Sequence, residues 1–385
     1  MNNHLRTFVV AIVCLFQYMV GFAFELPIHH EDFSTDEFKD PTNTTADWNT
    51  GDSELKLHPF TYSLLGSFET SGFAKNVQTS DFNAYVADGH AGLQVINIGD
   101  PTNPSLEGTY DTPGSAEDVF ISGTHAFVAD GSSGLQVFDI STWWSLELVG
   151  SVGIPGHARG VHVDGDYAYL ACDTDGLQVV DISNPAVPVL VGSYVPSGMA
   201  YGVYVAGNHA YIADATNGMR VVDISDPTSP SHVATYPIAG NVFGIHVAGD
   251  HAYVANFTAG LLVIDISNPS VPTPAGSIDT PGFAYGVFVA GNFAYIADAN
   301  TGIQVINITD PTLPALSGSY DSPGTAYGVH VDGNRAFIAD DDGGLIVIRT
   351  SDLILPDPLG SINTSGTSFD VQVSGDLSVV VDGTA

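Results

Sequence analysis

Lys75, Glu117, Arg159, Tyr201, Phe243, Tyr285, Tyr327 and Phe369 follow one another at a constant interval of 42 residues. The first three are charged and the last five aromatic. Charged groups of this kind form charge-assisted hydrogen bonds, and rings offer flat apolar faces. Brought together, the eight suit a small ligand or peptide with a polar end and an apolar body. The alternative is structural, with the charges pairing among themselves and the rings filling space.

Other residues with chemistry recur at the same interval. Asp88, Asp130, Cys172, Asp214, Asn256, Asp298, Asp340 and Asp382 form a second series, mostly acidic. Such carboxylates either cap hairpins or make a rim that attracts cations. Asp340 and Asp342, in a run of three aspartates, look like a fragment of a calcium loop. The further oxygen ligands and distal Glu of an EF-hand do not follow them, so calcium is a weak reading and no cofactor is expected. His162, His246 and His330 share one repeat position, alternating with Tyr204 and Phe288. Zinc needs ligands converging within about 2.1 Å of one ion, so these spaced histidines read as packed side chains. Trp143 and Trp144 replace a turn sequence and form a candidate interaction patch. No HExxH, GxSxG, P-loop or GxGxxG motif is present. Cys172 has no basic neighbour in sequence to activate it.

Overall charge narrows the partners. Eight Lys and Arg against 43 Asp and Glu leave the 385-residue chain at −35, a poor match for phosphate backbones. Residues 1–23 read as a secretory signal: Arg6, an apolar stretch from Phe8 to Phe16, then Gly21 and Ala23 at the −3 and −1 positions for cleavage. No other segment is apolar and long enough to span a bilayer. A secreted or cell-surface monomer is expected. Residues 24–49 are acidic and without period, and read as a disordered linker.

The elements that must position these residues come from the same repeat. GLQVINIGDP begins at Gly92 and related strings begin at Gly134, Gly176, Gly218, Gly260, Gly302 and Gly344. A period near 40–45 residues, with short Val/Ile/Tyr runs bounded by Gly, Pro, Asn and Asp, predicts a β-propeller of four-stranded blades. In the third unit the strands are a from Gly160, b from Tyr167, c from Gly176 and d from Val189. The strings around LxVxDIS-[ND]P resemble the LVIVD-repeat family, secreted propellers mostly of unknown function. The resemblance covers residues 50–385 and bears on fold more than on activity.

Counting strands predicts eight blades. Residues 50–385 are eight intervals of 42, and the strand-b pattern occurs an eighth time around Val379. Strands near Ser53 and Ser63 would then complete the last blade. Seven blades are the alternative. The functional expectation is a non-enzymatic scaffold that binds an extracellular protein, glycan or small ligand at its channel mouth. The alternative is an extracellular hydrolase or lyase using mouth carboxylates, with or without calcium.

Overall fold

Each blade is built outward from strand a by three hairpins. Strand b carries the most apolar run of the repeat, such as Tyr167–Ala171 or His209–Ala213, and its last four residues are buried on both faces. Only a strand sandwiched between neighbouring sheets can be apolar on both sides. Strand c repeats the pattern, and strand d alternates, as befits an outer edge. The computed structural model describes residues 46–49, 54–57, 60–142, 146–350, 367–374 and 377–383. The chain divides into two units, Met1–Pro59 and Phe60–Ala385. In the first, Ala46–Asn49 pairs antiparallel with Glu54–Leu57.

In the second unit the propeller has seven blades, not the eight expected from strand counting. Blade one is Asn76–Ser80, Asn83–Ala87, Leu93–Asn97 and Ser105–Tyr110, and five more blades follow in the same order. Blade seven takes strands a to c from Gly328–Asp332, Arg335–Ala339 and Leu345–Arg349, and its strand d is the N-terminal Ser63–Phe68. That strand pairs Phe68 with Leu345 and Ser63 with Arg349, with a bulge between Val347 and Ile348. The same bulge interrupts the c–d ladder of the other blades, as between Val95 and Ile96. The closing strand therefore sits in the repeat's own register. The strands expected to form an eighth blade are occupied otherwise. Thr367–Ser374 and Leu377–Gly383 pair with each other as a two-stranded sheet, and the strand near Ser53 pairs with Ala46–Asn49.

Interblade geometry gives the physical reason. Ala74 and Asp341 exchange backbone hydrogen bonds at 3.0 and 3.1 Å. This bridge between blades one and seven matches Gly89–Ala116 and Ala299–Ala326 at other junctions. A Cβ on Gly328 would lie 2.8 Å from the Lys75 carbonyl, as one on Gly286 would lie 2.6 Å from that of Tyr327. Strand a of blade seven already touches strand a of blade one, and no space remains for another.

Apolar clusters lie between the sheets. Phe127, Leu135 and Val137 of blade two pack against Val161, Val163 and Leu170 of blade three. Asp139, Asp181, Asp223 and Asp265, ending strand c, each accept the backbone N–H two residues on. Those bonds, with the neighbouring serine hydroxyls, hold the four carboxyls below the ordinary carboxylate range.

The strand-b aspartates tie down the loop that enters their own blade. Asp88 accepts from the Thr70 hydroxyl at 2.6 Å and the Gly72 N–H at 2.8 Å. Asp130 uses Thr112 and Gly114, Asp298 uses Thr280 and Gly282, and Asp340 uses Ser322 and Gly324. Where Cys172 takes the place of Asp, Ile154 takes that of Thr, and an apolar contact replaces the polar one. Burial pushes the Cys172 thiol up. In blade four Pro196 replaces the hydroxyl donor, and Asp214 is paired with Arg220 Nε at 2.5 Å instead. Asp298→Ala leaves a buried hydroxyl and N–H without an acceptor. It should lower the unfolding free energy by about 2 kcal/mol in urea titrations at pH 7. A loss near zero would show that the loop is held by other means.

Candidate functional site

The residue preceding strand a donates its backbone N–H to the last residue of strand b in every blade. The distances are 2.8 Å for Lys75–Ala87 and Arg159–Ala171 and 2.9 Å for Glu117–Ala129, Tyr201–Ala213, Tyr285–Ala297 and Tyr327–Ala339, with 3.1 Å for Phe243–Ala255. Seven equivalent backbones thus carry seven side chains to one end of the axial channel. Lys75, Glu117, Arg159, Tyr201, Phe243, Tyr285 and Tyr327 together line a cavity of about 360 Å³. Phe369, the eighth residue of the series, lies in the strand Thr367–Ser374, which pairs with Leu377–Gly383. Trp143 and Trp144 lie outside the described residues.

The mouth is asymmetric. Tyr201, Phe243, Tyr285 and Tyr327 form a continuous arc with successive ring centroids 4.8, 5.1 and 4.9 Å apart. A cation of the protein covers each end of it. The Arg159 guanidinium lies 4.8 Å from the Tyr201 centroid and Lys75 Nζ lies 4.2 Å from that of Tyr327. Both cations are also paired, Lys75 with Asp341 at 3.0 Å and Arg159 with Asp173 through two nitrogens. Glu117 stands between them in blade order, with His157 Nε2 3.5 Å away.

Two groups of residues at this site are not assigned to the mouth by the sequence reading, which takes Asp173 and Asp341 only as members of calcium-loop-like runs. The residue after each mouth position is Gly in blades three to seven, because a Cβ there would press on the next blade's backbone. In blades one and two it is Asn76 and Asp118. Asp118 accepts from the Asn76 amide, from Val119 N–H at 2.8 Å and from Val161 N–H of blade three at 2.8 Å. It keeps some surface toward the cavity but is otherwise enclosed. Burial pushes its carboxyl up to about 7 against the pull of those three donors. The break in the glycine pattern is the signal that could have found this pair.

The second group follows the strand-b series by one residue. Asp173, Phe257 and Asp341 take positive φ of 43°, 34° and 51°, a conformation that costs a non-glycine residue about 1–2 kcal/mol. The two aspartates reach the mouth cations. Phe257 stacks on Phe283 at 4.4 Å and lies 5.5 Å from Phe243 and 5.6 Å from Tyr285. The aromatic arc therefore has a second row behind it. A further cavity of about 410 Å³ adjoins the mouth at Tyr201 and Phe243, and Thr174, Ser197, Thr216, Asn217 and Asn241 give it a polar lining.

Deeper in the channel the histidines complete an inner band. Phe120, His162, Tyr204, His246, Phe288 and His330 follow in order with ring centroids 4.4–5.0 Å apart. Gln78, at the same position in blade one, accepts the Ile121 N–H at 3.1 Å. Burial lowers all three histidines to about 4, so they are neutral at pH 7. Both Asp340 oxygens are engaged by Ser322 and Gly324, which gives that carboxylate a loop-holding role.

Fold and mouth define the class: a seven-bladed β-propeller whose repeat carries unlike side chains around one end of its axis. The chain belongs to the LVIVD repeat family, whose model matches seven times, at residues 71–112, 113–153, 155–195, 197–237, 239–280, 281–322 and 323–364. Comparison with curated proteins gives no match. Among solved structures, the β-propeller domain of Cps50 (Swd1) from Myceliophteria thermophila is similar with a TM-score of 0.62 and 12% identity. That likeness covers 75% of this chain and 100% of that one. The Pan2 WD40 domain of Neurospora crassa gives 0.58 at 10% identity over 76% and 96%. The computationally designed Ika8 protein gives 0.55 at 12% over 72% and 83%. At such identities the likeness is one of fold. No helix among the described residues is long and apolar enough to cross a membrane.

Proposed function

We propose that the protein is a non-enzymatic, extracytoplasmic binding scaffold that takes an extracellular protein, glycan or small ligand at its channel mouth. The polar end of the ligand lies over Lys75, Glu117 and Arg159, and its flat or apolar part lies against Tyr201, Phe243, Tyr285 and Tyr327. One observation carries this reading. Seven backbone positions made equivalent by the repeat surround one cavity, yet their side chains are divided into a charged arc and an aromatic arc. Ring closure requires no such division. The secretory signal read from Arg6 to Ala23 supports the location. Asp118 gives its oxygens to two backbone N–H groups and an amide, an arrangement that suits positioning better than acid–base work.

A library of glycans, peptides and small molecules, screened against the protein and a Phe243→Ala/Tyr285→Ala variant, tests the site. These two residues are preferable to Arg159, whose removal would strand Asp173. Loss of two ring contacts should weaken mouth ligands by about 2 kcal/mol, roughly 30-fold. Ligands held equally well by a folded variant would place binding elsewhere.

A further inference from the structure

We infer that the mouth selects a cation: a primary ammonium group carried on a small flat apolar body, with the ammonium at Glu117 and the body against Phe243 and Tyr285. The inference rests on the mouth reading above and adds the sign of the ligand's charge.

The charged arc contains two cations, which at first sight favours an anion. Their surroundings reverse that. Lys75 already faces Asp341 and Arg159 already faces Asp173. Each also lies over an aromatic face of the protein itself. With Glu117 the mouth sets three carboxylates against two cations, before Asp118 is considered. An incoming anion would have to compete with Asp341 and Asp173 for donors already in use, and would meet Glu117 between them.

Glu117 is placed differently. Among the described residues its ion-pair contact is His157 at 3.5 Å, which carries charge only while the imidazole is protonated. Its side chain retains 22% exposure and lines the cavity. In a seven-membered ring, blade two faces blades five and six, three steps away in either direction. Those blades supply Phe243 and Tyr285, the two middle rings of the arc and, among the described residues, the two that no cation covers. A carboxylate thus faces the uncovered part of an aromatic wall across the cavity. An ammonium at Glu117 gains a charge-assisted hydrogen bond, and the body behind it reaches the rings. A cavity of about 360 Å³ is at the small end of ligand sites, which limits the body to about one ring. The net charge of −35 adds a long-range attraction for cations of any kind, and the test must separate that from contact at Glu117.

Three probes with one body serve: 3-phenylpropylammonium, 3-phenylpropanol and 3-phenylpropanoate, titrated calorimetrically into the full protein at pH 7 in 0.15 and 0.5 M NaCl. The ammonium is expected to bind at least tenfold tighter than the alcohol. That preference should persist at 0.5 M, where the general field is screened. Glu117→Gln, nearly isosteric, should reduce the ammonium to the level of the alcohol and leave the alcohol unchanged. Phe243→Ala/Tyr285→Ala should weaken all three. If the carboxylate binds tightest, if Glu117→Gln retains the preference, or if high salt abolishes it, selection of a cation at Glu117 is wrong while the mouth reading stands. If none of the probes binds at millimolar concentration the inference also falls, and the library screen judges the mouth. If the probes bind the aromatic double variant as well as the native protein, both readings fall.

Discussion

Protein produced without residues 1–70 is expected to aggregate or assemble through open blade edges. Protein produced without residues 1–59, or ending at Thr350, should remain monomeric. The difference lies in Ser63–Phe68, which supplies the outermost strand of blade seven. Without it Leu345–Arg349, almost wholly buried in the ring, becomes an edge of consecutive apolar residues. Unpaired edges of this kind are templates for pairing with another chain. Leu65 and Phe68, which pack on the cluster between blades seven and one, go with the strand. Ladder hydrogen bonds at about 1 kcal/mol each and two apolar side chains at about 1.5–3 kcal/mol when fully buried sum to several kcal/mol. That is a large part of the 5–15 kcal/mol that ordinarily separates folded from unfolded domains. Truncation after Thr350 removes Thr367–Gly383, whose strands pair with each other and with no blade. Light scattering and thermal melts of the three proteins check this. A monomeric protein starting at Ser71 that melts within a few degrees of the full chain would refute closure by the N-terminal strand.

The same strand shows where sequence reasoning succeeds and where it stops. Hydrophobic period, turn residues and the 42-residue interval are local properties, and every blade strand between Asn76 and Arg349 could be read from them. The number of blades is not local. It depends on the angle between adjacent sheets, set by how residues such as Leu170 and Val137 pack across the junction, and nothing in a repeat length records that angle. Residues 50–385 happened to divide into eight intervals, and the pattern at Val379 completed the count, so arithmetic favoured a blade that the ring has no room for. The mouth was legible for the same reason the strands were, because a repeat makes its exceptions visible. Seven of the eight residues in that series line one cavity, and Phe369 lies in the strand Thr367–Ser374. Partners were harder. Asp341 reaches Lys75 across the ring closure, 266 positions away in the chain, and Asp118 bridges to Asn76 and Val161 in neighbouring blades. Such pairs depend on which blade stands beside which. The strand-b aspartates were read as caps of their own hairpins or as a rim. Their bonds to Thr or Ser and to Gly of the entering loop show a third role, written in the sequence as a hydroxyl 18 residues earlier.

Acidification from pH 7.5 to 5 should destabilise the propeller through the inner band, and His246→Phe should remove a defined share of that loss. Each of His162, His246 and His330 is lowered from 6.5 to about 4 by burial. Between these values the unfolded chain binds protons that the native state refuses, so stability rises with pH and is lost as pH falls below 6.5. At pH 5 the deficit is about 2 kcal/mol per histidine, somewhat less where the lumen admits water. Asp118 has the opposite sign. Its carboxyl is raised from 3.8 to about 7, so across the same window the native state holds a proton that the unfolded chain lacks. Its contribution therefore grows on acidification, offsetting about one histidine. Burial also raises the carboxyls of Asp88, Asp130 and Asp340, which oppose the histidines with the same sign, so the test lies in the difference between variant and native protein. The turn carboxyls such as Asp139 and Asp265 are held low and lose stability only at pH values nearer 4, outside the window. His246 lies between Tyr204 and Phe288, and Phe already occupies the equivalent position in blades two and six, so His246→Phe fits the band. The variant should lose about 2 kcal/mol less than the native protein over the window in denaturant titrations, and Asp118→Asn should lose about as much more. Equal slopes for His246→Phe and the native protein would mean that His246 takes up its proton within the folded channel, and that water reaches the inner band.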